Sequence, residues 1–457
     1  MMHHRSKSSS LHTIPSLVIL LMVSCIFFLA QDCTGSSPPG LLGAHNRVVV
    51  CYVSSWAAYR QGRGAFSLEN LDPRLCTHLV YAFAGLNVTS STLRSLDPYR
   101  DLEEDYGLGW YKKLTGLKNR FPHLKVTLAV GGWNEGSKNY SIMAADPKLR
   151  QNFVQSVVST LMKHNFDGFD LDWEFPGSRG GSKEDKRNFV QLVKELRHEL
   201  APRNLLITAA MGASQAIINE AYDVPALGSL LDLMHIMCYD YHGSWDSRTL
   251  PNAPLNTKDS MDPLSVTATI KHLKSLGAPA NKLVLGVPMY GRTFTLSATG
   301  GELQTSTHSH GDTICMELKS LNSSWKTAWD SVSKTPYAQD KERWLSYDDE
   351  RSIAEKAKYA IDEKLAGVMV WAIDTDDFHG DCSSGGQRTT FPLVTELNVA
   401  MVKALDDHQQ ENEVHVTTHS PGSSAASTGA TLSAFVIASV TMLIFSSGYF
   451  KFKYTPS

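Results

Sequence analysis

Between residues 47 and 405, short apolar runs alternate with amphipathic stretches. The runs are Val48–Val53, Leu79–Ala84, Val126–Val130, Phe169–Leu171, Leu205–Met211, Leu233–Tyr239, Leu283–Pro288 and Gly367–Trp371. Each is predominantly apolar, the pattern of strands covered on both faces. Between them lie helical patterns such as Leu149–His164, Glu184–Leu200, Leu264–Leu276 and Ile353–Lys364. In the second of these, Phe189, Leu192, Val193 and Leu196 recur at i, i+3, i+4 and i+7, which places them on one helix face. Eight strands alternating with helices predict an α/β fold, a (β/α)8 barrel; an open doubly wound sheet has the same alternation. The rhythm breaks once. About eighty residues separate the seventh and eighth runs, where a βα unit with its return takes roughly thirty. Residues 293–349 are therefore expected to be a small α+β insertion between strands 7 and 8, packed by Trp325, Trp329, Tyr337, Trp344 and Tyr347. The barrel itself is expected at 47–292 and 350–405.

The two ends have a different pattern. Arg5 and Lys7 precede the apolar run Leu17–Ala30, which reads as a secretory signal within residues 1–35, cut after Ala30 or Gly35. Residues 406–430, rich in Ser and Thr towards their end, are expected to be a flexible linker. Residues 431–450 carry no charge and are followed by Lys451 and Lys453. At 1.5 Å per residue such a segment spans a bilayer core of about 30 Å. Small residues at Ser423–Ala425 ahead of an apolar tail leave a lipid-anchor signal as the rival. Either reading puts the barrel on the extracellular side, anchored at the cell surface or else secreted.

An oxidising compartment changes how the cysteines read. Cys25 lies in the signal and Cys33 beside its cleavage site, leaving Cys51, Cys76, Cys238, Cys315 and Cys382, an odd number. Cys238, inside an apolar strand-like run, is expected to be free. Asn87, Asn139 and Asn322 each begin an N-x-S/T acceptor sequence for glycosylation. Composition narrows the function. Lys+Arg number 43 and Asp+Glu 46, a net charge of −3, which lacks the basic excess of a nucleic-acid binder. With 42% apolar residues, wholesale disorder is excluded.

The candidate chemistry sits on the fourth run, Phe166-Asp-Gly-Phe-Asp-Leu-Asp-Trp-Glu-Phe-Pro-Gly177. Side chains alternate along a strand, so Asp170, Asp172 and Glu174 share a face at spacings of roughly 7 Å. Three such carboxylates repel if all ionise, so their protonation must separate or be shared. Interleaved Phe169, Leu171 and Trp173 argue for a buried segment rather than a solvated acidic turn. A metal site is the competing reading; no histidine cluster lies beside the carboxylates in sequence, although His242 could approach in space. No metal or cofactor is expected.

This segment resembles the D-x-x-D-x-D-x-E signature of the family 18 glycoside hydrolases, the chitinases. Ala129-Val-Gly-Gly-Trp133-Asn134 is similar to that family's third-strand segment. Met237-Cys-Tyr-Asp-Tyr-His-Gly-Ser-Trp245 resembles its sixth, and Gly286–Phe294 and Met369–Asp374 its seventh and eighth. Five motifs in order across residues 47–400 point to the animal type with the added α+β module. The resemblance implies an endo-acting chitinase that cleaves β-1,4 linkages in chitin or N-acetylglucosamine oligomers, acting as a monomer. Glu174 would be the general acid, and the substrate's acetamido oxygen the nucleophile. Asp172 would orient that acetamido group, Asp170 would share a proton with Asp172, and Tyr239 would bond the acetamido oxygen. Trp371 would floor the cleft. Trp56, Trp133 and Trp245, with Asn134, Asp240, Met237, Arg292 and Tyr52, would contact neighbouring sugars; Tyr59 is a further aromatic candidate. The resemblance also implies the disulfides Cys51–Cys76 and Cys315–Cys382. Phe175 stands where the family commonly carries tyrosine, and Ser297–Thr313 is short for the start of the insertion. A non-catalytic chitin-binding lectin on the same barrel is the alternative; such relatives typically lose the acid at the position of Glu174.

Overall fold

A computed structural model describes residues 44–259, 261–296, 303–310, 318, 324–382 and 389–418, with backbone alone for 303–310 and 412–418. The signal segment, Cys315, Asn322, most of Ser297–Thr313 and the apolar segment 431–450 lie outside the described residues. Fourteen strands are described: β1 Val48–Ser54, β2 His78–Asn87, β3 Thr92–Ser95, β4 Lys125–Gly131, β5 Gly168–Asp172, β6 Leu206–Gly212, β7 Leu233–Met237, β8 Leu283–Pro288, β9 Tyr290–Leu296, β10 Leu303–His310, β11 Lys326–Asp330, β12 Thr335–Asp340, β13 Arg343–Ser346 and β14 Gly367–Trp371. Eight of them pair in parallel in the order β1-β14-β8-β7-β6-β5-β4-β2, and β1 pairs back onto β2. The sheet is closed, so the fold is the (β/α)8 barrel and not the open sheet.

The outer layer follows from the helical periodicity. In helix Asp185–Leu200 the buried side chains include Phe189, Leu192, Val193, Leu196 and Leu200, the stripe expected from the sequence. Helix Pro147–His164 starts on Asp146, whose carboxylate accepts from Lys148 and Leu149 N–H, with Pro147 in the first turn; it stops at Asn165 in the left-handed region. Each such cap is worth about 1 kcal/mol.

Between β8 and β14 the inserted strands form a separate five-stranded antiparallel sheet in the order β10-β9-β13-β12-β11. It begins at Tyr290, immediately after β8. Trp344 packs against Phe294 and Tyr337 within this sheet, while the Trp329 ring lies under Arg351. The strand β3, antiparallel to the end of β2, has no counterpart among the runs read from the sequence.

Cys51 is bonded to Cys76, and Cys238 is free and buried. Cys382 is disulfide-bonded to a residue outside the described ones. Asn87 ends β2, where its side chain accepts from Thr89 and Ser90 N–H; Asn139 is exposed on helix Lys138–Ala145. The last helix runs Pro392–Thr418 and so continues past 405 into the stretch expected as linker, where Asp406–Glu413 is rich in residues that tolerate helix. Among the described residues no helix is long and apolar enough to cross a membrane.

Candidate active site

The carboxylates lie where the C-terminal ends of the barrel strands converge, the end that carries catalysis in this architecture. Asp170 and Asp172 are on β5 and are both buried, while Trp173 turns the other way into the outer core. Strand alternation thus separates the acidic face from the apolar one. The indole Nε1 of Trp173 donates to Ser137 Oγ at 2.6 Å, and that hydroxyl donates to Phe175 O at 2.8 Å. The Gly131-Gly132 step at the end of β4 makes room for this strand end. Both glycines have positive φ; a Cβ at Gly131 would meet Asp172 O at 2.1 Å, and one at Gly132 the Phe83 ring at 2.5 Å.

Asp170 is fully saturated. Its Oδ2 accepts Tyr52 Oη at 2.7 Å, and its Oδ1 accepts Thr208 Oγ1 at 2.5 Å and faces His235 Nδ1 at 3.2 Å. Those partners come from β1, β6 and β7, so they meet only because the barrel closes. Asp172 is different. Its Oδ1 is buried with no hydrogen-bond partner. Burial first, then the neighbouring Glu174 and Asp170, pushes its carboxyl well above the usual range. Glu174 follows the strand, half-buried, and burial pushes it up to about 7; the Arg179 cation opposes that shift and Asp240 adds to it. Burial wins because Arg179 is exposed and its charge is screened. The cluster can therefore hold and release a proton near neutrality, as general acid chemistry requires.

Tyr239, just beyond β7, is buried with its hydroxyl 3.8 Å from Met369 Sδ. Burial keeps its phenol protonated and so a donor. Asp240 next to it adopts a left-handed φ of 56°. Its Oδ1 accepts Tyr290 Oη at 2.5 Å and Arg292 Nε at 2.9 Å, while Asn252 Oδ1 accepts its backbone N–H. The insertion's first strand, β9, is thereby tied to the barrel site.

Aromatic rings line the opening. Trp371, at the end of β14, lies 5.9 Å from Phe83 and 6.2 Å from Trp56, and Trp56 stacks on Phe83 at 5.8 Å. Trp133 and Trp245 are 59% and 60% exposed, unusual for tryptophan and suited to receiving a flat apolar ring. Arg292 lies over the Trp245 ring and Arg179 over that of Trp133. Asn134 is exposed beside Trp133; Met237 is half-buried at the end of β7. Tyr59 is exposed, its hydroxyl on Asp97 and its ring under Arg100.

Tyr52 corrects the sequence reading. It is 1% exposed with its hydroxyl spent on Asp170, so it supports the carboxylate and does not face a ligand. The runs Leu205–Met211 and Leu233–Tyr239 read as plain apolar strands, yet Thr208 and His235 carry the network under Asp170. The signal was present as single polar residues interrupting those runs. Phe83, Asn252, Arg179 and Tyr290 were also missed.

Comparison with known proteins gives the family. The family described as Glycosyl hydrolases family 18 matches residues 48–376. "Probable chitinase 2" of Drosophila melanogaster is 48% identical over 398 residues, covering 79% of this chain and 82% of that protein. "Endochitinase" of Manduca sexta is 37% identical, covering 77% of this chain and 67% of that protein. The crystal structure of Ostrinia furnacalis Group IV chitinase, also solved in complex with allosamidin, is similar with a TM-score of 0.73 at 40% identity, covering 78% of this chain and 99% of that one. With the family matched across the whole barrel, this chain belongs to glycosyl hydrolase family 18.

Proposed function

We propose that the protein is a chitinase that hydrolyses β-1,4 linkages between N-acetylglucosamine units with net retention. The observation that carries this reading is Glu174, a carboxyl pushed up to about 7 by burial at the mouth of the barrel, near Asp172, whose carboxyl burial also pushes well above the usual range. Glu174 donates its proton to the glycosidic oxygen. No second carboxylate attacks; the substrate's acetamido oxygen closes on the anomeric carbon as the glycosidic bond breaks and the protonated sugar leaves, and a water that gives its proton to the Glu174 carboxylate then displaces the acetamido oxygen, so that two inversions give retention. The unpartnered Asp172 Oδ1 is available to accept the acetamido N–H, which aligns the nucleophile. Asp170, fixed by Tyr52 and Thr208, is the buried partner with which Asp172 shares a proton. Tyr239 donates to the acetamido oxygen, and Trp371 supports the sugar at the cleaved bond. Trp56, Trp133 and Trp245, with Asn134, Asp240, Met237 and Arg292, receive neighbouring sugars. Endo action fits a cleft lined by aromatics on both sides of the carboxylates. The enzyme works on the extracellular side as a monomer, held at the cell surface through residues 431–450.

Glu174→Gln, assayed on soluble N-acetylglucosamine oligomers, should retain binding and lose at least about a hundredfold in rate, the loss expected on removing a general acid. Unchanged turnover would overturn the assignment. A wild-type protein that binds oligomers without cleaving them would instead be the lectin, a reading that the intact acid at position 174 disfavours.

A further inference from the structure

We propose that Arg179 is a positioning residue that joins the Trp133 platform to the loop of Glu174, propping one face of the indole while standing beside the acid. The proposal rests on the reading of Glu174 as the acid. Three observations carry it. The Arg179 guanidinium sits 3.5 Å from the centroid of the Trp133 ring, close enough for flat stacking. Its Nη1 donates to Glu174 O at 3.0 Å. And the turn that aims it is built rather than loose. Arg179 has a φ of 49°, uncommon for a side-chain-bearing residue, and Gly180 follows at 88°. Such a conformation is disfavoured for a residue with a Cβ and persists only where surrounding contacts impose it.

Those contacts come from Asp185, which is fully buried in the first turn of helix Asp185–Leu200. Its Oδ2 accepts Ser182 N–H at 2.8 Å and Gly177 N–H at 3.2 Å, and its Oδ1 accepts Ser141 Oγ at 2.7 Å. The residues between Gly177 and Ser182 are thus clamped at both ends. With one face of Trp133 under Arg179 and the residue still 59% exposed, the other face stays available to a sugar ring.

The same guanidinium is the cation among the charged groups that act on Glu174. Asp172 at the end of β5, Asp240 and Tyr239 after β7, and Tyr222 after helix Gln215–Ala221 also interact electrostatically with Glu174. Arg179 lowers the affinity of Glu174 for its proton; Asp240 raises it. Removing the cation therefore leaves the acid protonated to higher pH.

Two variants separate stacking from charge. Arg179→Gln removes both and should raise KM for a soluble tetramer about two- to fivefold, the range of an exposed cation–π contact. It should also move the basic limb of the kcat/KM profile to higher pH. Arg179→Lys restores the charge without the planar fork, so its basic limb should return to the wild-type position. In a Trp133→Ala background Arg179→Gln should raise KM no further, since the two act as one unit. Because Arg179 is exposed, thermal melting should be near wild type in both variants. A wild-type KM or an unmoved limb in Arg179→Gln overturns the inference, as does a limb that stays displaced in Arg179→Lys. Any of those results on an enzyme that still requires Glu174 leaves the chitinase reading standing; turnover that survives Glu174→Gln overturns that reading instead.

Discussion

A carboxyl taken out of water depends on nearby hydrogen-bond donors, and the two on β5 differ in what surrounds them. Asp170 takes two hydroxyls and faces an imidazole; Asp172 lacks such partners at Oδ1. Glu174, partly open, ends between the two conditions. As the proposed general acid it must carry its proton, so kcat/KM should fall about tenfold per pH unit above roughly pH 7. A profile flat from pH 6 to 9 would remove Glu174 from the proton-transfer step. The same burial has a stability consequence with a definite sign. The folded state binds this proton more tightly than the unfolded chain, so the contribution is present below pH 4.5 and lost as pH rises through about 7. Glu174→Gln should therefore melt close to wild type at pH 4 and above it at pH 8, measured by calorimetry at both. The carboxylate ladder was legible because period-two alternation is a local rule. The roles of Tyr52, Thr208 and His235 were not, since each depends on which strands become neighbours.

At the level of elements, the loop from Trp173 to Glu184 is held by neighbouring units more than by its own sequence. Ser137 fixes Trp173 and Phe175, and Asp185 fixes Gly177 and Ser182. Asp185→Ala would leave those amides and Ser141 without their buried acceptor and should destabilise the fold by about 2–3 kcal/mol. It should also lower kcat, because Glu174 sits at the start of the same loop. Denaturant titration and turnover on oligomers check both; a stable variant with full activity would show that the clamp is dispensable. Amphipathic helices such as Asp185–Leu200 were readable because one buried face imposes a period. The four-residue β3 was not: Thr-Leu-Arg-Ser is too short to show alternation, and it becomes a strand only by pairing with the end of β2. The helix after Pro392 outran its expected end because Asp406–Glu413 is polar without being helix-breaking.

Over the whole molecule, a net charge of −3 fits an uncharged polymer held by stacking, with Trp371, Trp56, Trp133 and Trp245 around the carboxylates. The proposed spanning helix at residues 431–450 predicts that the full chain, expressed in animal cells, stays with membranes after alkaline washing. A phospholipase that cuts lipid anchors should not release it; release would establish the lipid anchor in its place. The sequence by itself determined the alternation of strands and helices, the acidic strand, the break after the seventh strand and the two apolar ends. All of these are written in neighbouring residues, through periodicity and local charge. Tertiary structure decided that the sheet closes, that Tyr52 serves Asp170, and that Asp172 rather than Asp170 has a buried carboxyl oxygen without a hydrogen-bond partner. It also set Arg179 against Trp133. Those outcomes depend on burial and on partners far away along the chain, and solvent exclusion at a closed barrel end is a property that no single segment possesses.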